Sequence, residues 1–237
     1  MTEYLFLTLE DESAHASETP QAMARLIEQR AEFGAELRRG GRLRDAGRFR
    51  PSKEGKRVAR RDERLDVRDG PFSEDGKTLG GYYWVEASGV TEAARLAEAC
   101  PALAPDAIEV RPLMDGRVSS EKEAKPGKIF ACAVLGSGAT EAAWVGVMDR
   151  IDAETRGRFP EASFLGGLRL EAPKSGRRLE TRSERRVTFD GPFLECKEVI
   201  GGLFFLRMTT LDEAVRWAAE TPFVVHGVLE IRELWRI

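Results

Sequence analysis

The chain repeats itself. Residues 69–113 align on residues 190–234 at a constant offset of 121 with no gap, and 15 of the 45 pairs are identical. Identity at that level, held in register, marks a duplication. The clearest shared features are Asp-Gly-Pro-Phe at 69–72 and 190–193, Gly-Gly at 80–81 and 201–202, and Glu-x-Arg at 109–111 and 230–232. A period this long belongs to whole domains rather than solenoid units. The 237 residues accommodate two domains of about 100–120 residues each. The polar, aperiodic stretch 114–127 reads as the linker between a first domain, 1–113, and a second, 128–237.

Each half carries the same order of local signals. EYLFLTL and KIFACAVL open the halves as apolar strands. A helix follows in each: Thr19 and Pro20 supply an N-cap and an N1 proline, and Gly40-Gly41 stops the first helix. In the second, Trp144, Val147, Met148 and Ile151 recur at helical spacing. A strand and a charged hairpin come next, then the Asp-Gly-Pro-Phe turn, a strand after Gly-Gly, a short helix and a final strand. Thr210 and Glu213 have the spacing of a capping box. The apolar residues ahead of Asp69 and Asp190 are out of phase by one, which predicts a one-residue insertion or a bulge in one copy.

This β-α-β(β)-β-α-β order is the ferredoxin-like split pattern. Such a sheet has helices on one face only, so the bare apolar face needs a cover. The predicted fold class is therefore α+β: two ferredoxin-like domains packed sheet to sheet as an intramolecular pseudo-dimer. The DGPFxE motif followed by Gly-Gly-aromatic, with P…EIRxL or P…EVRPL closing each half, resembles the DGPF-type branch of the YCII-related proteins. That resemblance implies a dimeric α+β barrel, here within one chain, and association with extracytoplasmic-function sigma factors as a candidate partnership. The activity does not transfer with the fold. The motif continues as Cys196-Lys197-Glu198 in the second half but as Asp75-Gly76-Lys77 in the first.

Several residues are candidates for chemistry. Asp69 and Asp190 could act as general acids or bases where the halves meet, or simply build turns, with Gly supplying positive φ and Phe an anchor. His15 and His226 are the two histidines; pairs of His226 with Asp190, or His15 with Asp69, would form dyads, against the simpler reading of loop histidines. Asp190, His226 and Asp69 are the site residues this reading selects. Glu109 with Arg111, and Glu230 with Arg232, each share a strand face, as a carboxylate-binding cavity or as ion pairs on a solvated face. Cys196 shows no base beside it.

Composition narrows the classes. A formal charge of −3 speaks against a general nucleic-acid binder, although 38–68 holds thirteen Lys/Arg against five Asp/Glu and could meet an acidic protein. No cofactor fingerprint or metal-ligand spacing occurs; GSGAT at 136–140 lacks the lysine of a phosphate loop. No apolar run approaches the ~20 residues of a membrane span. Three unpaired-looking cysteines and the lack of a basic leader suggest a reduced, cytoplasmic setting. The residues leave open a small-molecule site, catalytic or binding, and a non-catalytic accessory role, with further oligomerisation allowed.

Overall fold

The computed structural model describes residues 1–62, 64–72, 77–102, 104–119, 127–136, 163–182, 185–191 and 199–235. The helix expected around 144–151, most of 136–140, Glu74, Glu195 and Cys196–Glu198 lie outside them.

The first half runs β1 (Thr2–Glu10), α1 (Glu12–Ser17), α2 (Pro20–Arg39), β2 (Leu43–Phe49), β3 (Lys56–Arg61), β4 (Arg64–Asp69), β5 (Thr78–Ala87), α3 (Val90–Glu98) and β6 (Ala107–Val118). The second runs β7 (Lys128–Gly136), β8 (Phe164–Leu170), β9 (Arg177–Arg182), β10 (Arg185–Asp190), β11 (Val199–Met208), α4 (Leu211–Glu220), α5 (Phe223–His226) and β12 (Val228–Trp235). The capping predictions hold. Thr19 accepts from the Ala22 amide at 3.1 Å, and Thr210 and Glu213 form a reciprocal capping box.

Within the halves the antiparallel orders are β6-β1-β5-β2 and β12-β7-β11-β8. The two sets also join edge to edge, β6 to β8 and β2 to β12, closing an eight-stranded barrel. Strand β6 reaches Val118 because 115–118 pair with β8; the stretch expected to be linker therefore begins as barrel wall. Closure leaves none of these eight strands with a free edge at the seams.

Alternation along each strand sorts its side chains. Leu5 and Leu7 of β1 point inward with Tyr82, Ala131, Ala133, Leu168 and Phe205, so both halves share one apolar interior. Tyr4 and Phe6 point outward beneath α2 and α3. Val134 and Phe204 do the equivalent in the second half, packed with Trp217 of α4. Each half hides the other's inner face, as expected, through a continuous barrel rather than two separate sheets.

The hairpins cross over. Strand β3 pairs with β12 of the second half, and β9 pairs with β6 of the first. Arg60 donates to the Ala219 carbonyl at 3.2 Å, and Arg186 to those of Ala97 (3.1 Å) and Cys100. Each half's hairpin thus laps the opposite half's short helix. Neither hairpin contains a bulge: both register at the same 121 offset. The phase difference in the sequence exists because Leu65, Val67 and Val187 are exposed and under no packing constraint.

The Asp-Gly-Pro-Phe turn follows from this crossover. Gly70 and Gly191 are not at positive φ. A Cβ on Gly70 would overlap the Ser52 carbonyl, and one on Gly191 the Pro173 carbonyl. Both glycines allow two backbones to touch, and Phe72 is buried beneath the Arg57 guanidinium, 4.9 Å from its ring centre. Because the obstacle is backbone, Gly70→Ala should cost about 3 kcal/mol. Gly89→Ala, which meets nothing within 4 Å, is the control, and urea midpoints of the two variants provide the comparison.

The repeated Glu-x-Arg pairs are neither on a solvated face nor open to a ligand. Arg111 and Arg232 are each 1% exposed. Arg111 Nη1 donates to Glu109 at 2.6 Å and to the Ile200 carbonyl at 3.5 Å, while Nη2 reaches the Glu171 carbonyl. Arg232 Nη1 donates to the Arg50 carbonyl at 3.1 Å and Nη2 to that of Leu79. Arg57 pairs with Glu230 at 2.9 Å. Each arginine reaches from its own half to main-chain carbonyls of the other, so the repeat preserves a pair of clamps.

Candidate functional site

The sequence-selected aspartates are not where the polar interior lies. Asp69 and Asp190 end β4 and β10, with side chains 80% and 79% exposed. Asp69 accepts from Lys56 Nζ at 2.6 Å, and Asp190 sits 2.7 Å from Arg177 Nε, each on its own hairpin. His226 closes α5, and its side chain lies outside the described residues. The expected dyad of His15 with Asp69 does not form. His15 pairs with Asp106.

Strand β1 carries Glu10 at its end, on the outer face below the helices, after a register shift between Thr8 and Leu9. Asp11 then caps α1, accepting from the amides of Ser13 (2.9 Å) and Ala14 (3.0 Å), and these bonds hold its carboxyl below the usual range. The tight cap folds the chain back and places His15, the buried residue of α1, against the sheet at 8% exposure. The expected loop histidine is thus an interior one.

His15 Nε2 lies 2.9 Å from Asp106 Oδ2 and 3.0 Å from Oδ1, and Nδ1 lies 3.6 Å from Glu10 Oε2. Asp106, 1% exposed, also accepts the Asp11 amide at 3.1 Å. Arg30, projecting from α2, ties both carboxylates together: Nη1 reaches Glu10, Nη2 is 3.4 Å from Asp106, and Nε donates to the Pro101 carbonyl at 3.0 Å. Tyr83 Oη donates to the Arg30 carbonyl at 3.1 Å. Gly80 accommodates this arrangement, because a Cβ there would overlap the Glu10 carboxylate.

The hydrogen bond to Asp106 raises the His15 pKa, opposed by burial and helped by the charges of Asp106 and Glu10. A group that holds its proton more tightly folded than unfolded stabilises the fold while protonated. That stabilisation is complete below about pH 6.5 and is lost as pH rises through the higher folded value. The urea midpoint of the wild type should fall between pH 6 and pH 9, and His15→Gln should flatten that slope. Asp11, Glu10, Asp106 and Arg30 are the charged groups that act on the ring.

Beyond Arg30, a cleft of about 660 Å³ lies between α2 and the segment after α3, with Phe33, Cys100, Pro101 and Arg186 in its wall. Burial pushes the Cys100 thiol up to about 12, which leaves it unreactive near neutrality. Among the described residues no cluster of His, Cys, Asp and Glu is placed to hold a metal ion, and no helix is long and apolar enough to cross a membrane.

The duplication supplies a control for this polarity. By strand register Glu10 corresponds to Gly136, Thr8 to Val134 and Thr78 to Val199, and by the 121 offset Asp106 corresponds to Gly227. The same barrel position in the second half is therefore built without either carboxylate. The fold tolerates apolar residues there, so the first half's buried charges are not a requirement of the barrel.

These features define a closed antiparallel barrel of two fused copies, with a buried histidine–carboxylate cluster in one of them. The chain belongs to the YCII-related family: the model of the YCII-related domain matches residues 3–117 and again 139–237, two copies in tandem. Comparison with curated proteins returned no match.

Proposed function

We propose that this YCII-related protein transfers protons to or from a small molecule at a single acid/base site, formed by His15, Asp106, Glu10 and Arg30 in the first copy. The strand orders within the halves support reading each as a ferredoxin-like unit of the DGPF type, the second serving as the packing partner that completes the barrel. The observation that carries the proposal is the confinement of the buried cluster to one copy. Buried charges cost several kcal/mol per ion to desolvate, and the second copy does without Glu10 and Asp106.

In this reading His15 is the acid/base group. Asp106 fixes the ring through Nε2, and Arg30 bridges both carboxylates beside it. The bond to Asp106 raises the His15 pKa, which favours the protonated ring as the proton donor. Small movements of α1, a helix of six residues, would give the ring access to a bound molecule.

Solvent-deuterium incorporation tests the proposal. The protein is incubated in D2O with a set of small carbonyl compounds, and the α-proton signals are followed by NMR. At least one compound should exchange faster with the wild type. His15→Gln should remove that acceleration and Asp190→Asn should leave it intact. Equal exchange with wild type and His15→Gln would sink the assignment.

A further inference from the structure

The outer face of the first sheet holds buried donors that nothing answers. Arg48 Nε and Nη1, Thr8 Oγ1 and Thr78 Oγ1 are buried and have no hydrogen-bond partner among the described residues. Unanswered buried polar atoms are rare and need an explanation. Strand register brings these together. Thr8 and Arg48 both lie opposite Gly81, and Thr78 lies opposite Glu10.

Gly81 lets the row draw together across it: a Cβ there would stand 3.3 Å from Thr8 Oγ1 and 2.9 Å from the Gly47 carbonyl. Trp235 covers the outer side of Arg48, with the guanidinium carbon 5.0 Å from its ring centre. Burial lowers the Arg48 pKa, and the charges of Glu10, Arg30 and Asp106 also act on it.

Two features select the chemistry of an occupant. The unanswered atoms around Gly81 are all donor-bearing, so the complementary molecule presents acceptors. The nearby carboxylates are also already taken. Arg30 and His15 hold Glu10 and Asp106, and among the described residues Arg48 has no carboxylate of its own. An anion pairs with that guanidinium, whereas a neutral molecule leaves its charge unmatched and a cation is repelled. The second copy again serves as a control. Val134 and Val199 replace the two threonines, so the second copy keeps the arginine, Arg169 opposite Gly202, without hydroxyls beside it.

We infer that this row of donors binds the carboxylate of a small organic anion, held by Arg48, Thr8 and Thr78 next to His15. The inference rests on the acid/base reading of His15 and names the class of molecule that site takes. The carboxylate pairs with Arg48 and answers the row of donors, which brings the rest of the molecule toward the imidazole.

The test uses the full chain, with acetate as probe and acetamide as its neutral counterpart, at constant ionic strength. Chemical shifts of the Arg48 Nε–H group and the His15 ring protons are recorded by NMR, and melting temperature in parallel. Acetate should shift the Arg48 signal saturably and raise the melting temperature, and acetamide should do neither. The double substitution T8V/T78V installs the residues of the second copy. It should fold and bind acetate at least tenfold more weakly. Arg48→Met should abolish the thermal shift.

An unsaturable acetate response, an equal one from acetamide, or unchanged affinity in T8V/T78V would overturn the inference; ordered water would then answer the donors. The His15 titration in the same samples separates the two claims. A raised His15 pKa with deuterium exchange but no acetate binding leaves the acid/base reading and removes the carboxylate site. Saturable acetate binding without His15-dependent exchange does the reverse.

Discussion

Asp106→Asn should destabilise the protein by about 3–5 kcal/mol, the range for breaking a buried ion pair by removing one partner. Asparagine keeps the shape and can still accept the Asp11 amide. It cannot balance the His15 imidazolium, 2.9 Å away, or the Arg30 guanidinium at 3.4 Å. The pH dependence should change as well. The bond to Asp106 is the largest cause of the raised His15 pKa, and burial is the next, acting against it. Without Asp106 the wild type's loss of stability above neutrality should disappear. Urea unfolding at pH 6, 7.5 and 9 reads both effects. Asp69→Asn is the control: its carboxylate is exposed, and the change should stay within about 0.5 kcal/mol. Equal midpoints for Asp106→Asn and Asp69→Asn would remove the cluster from any account of this protein.

The second large effect concerns the seam of the barrel. Arg111→Met should also cost about 3–5 kcal/mol, because buried Glu109 loses the guanidinium 2.6 Å from it. Here the damage should be localised. Arg111 holds the carbonyls of Glu171 and Ile200 in the opposite half, so its loss should loosen the β6–β8 junction before the rest of the sheet. Amide hydrogen exchange at the paired positions of β6 and β8 should speed up by about a hundredfold, while amides in the β1–β5 pair should change far less. Uniform acceleration across the barrel would show that Arg111 stabilises the fold globally and does not act as a clamp between halves.

These two variants separate scaffold from site, and the repeat itself draws the same line. The identities between copies mark structure: Gly70 and Gly191 at backbone crossings, and Arg111 and Arg232 as clamps. The positions that differ, Glu10 against Gly136 and Asp106 against Gly227, mark the cluster. A reading that ranks residues by their recurrence is drawn to Asp69 and Asp190 and passes over Asp106. A signal was present in the sequence, since an aspartate after Pro105, just ahead of an apolar strand, has glycine as its counterpart. It became meaningful only once the strand at that position was known to run beneath α1 and α2.

What the linear order determined was whatever depends on neighbours in the chain: the duplication, the strands from their alternation, the caps at Thr19 and Thr210, and the need of each apolar sheet face for a cover. These follow from local spacing and from burial, which act over a few residues or over a whole face. Tertiary structure alone decided the exchange of hairpins and the partner of His15. Asp106 lies 91 positions from it in sequence, and Arg30 joins them from a third element. No periodicity encodes such a meeting. Pairing of β1 with β6, Leu9 opposite Ala107, brings the end of one beside the start of the other, and the short capped helix α1 turns the imidazole back onto them.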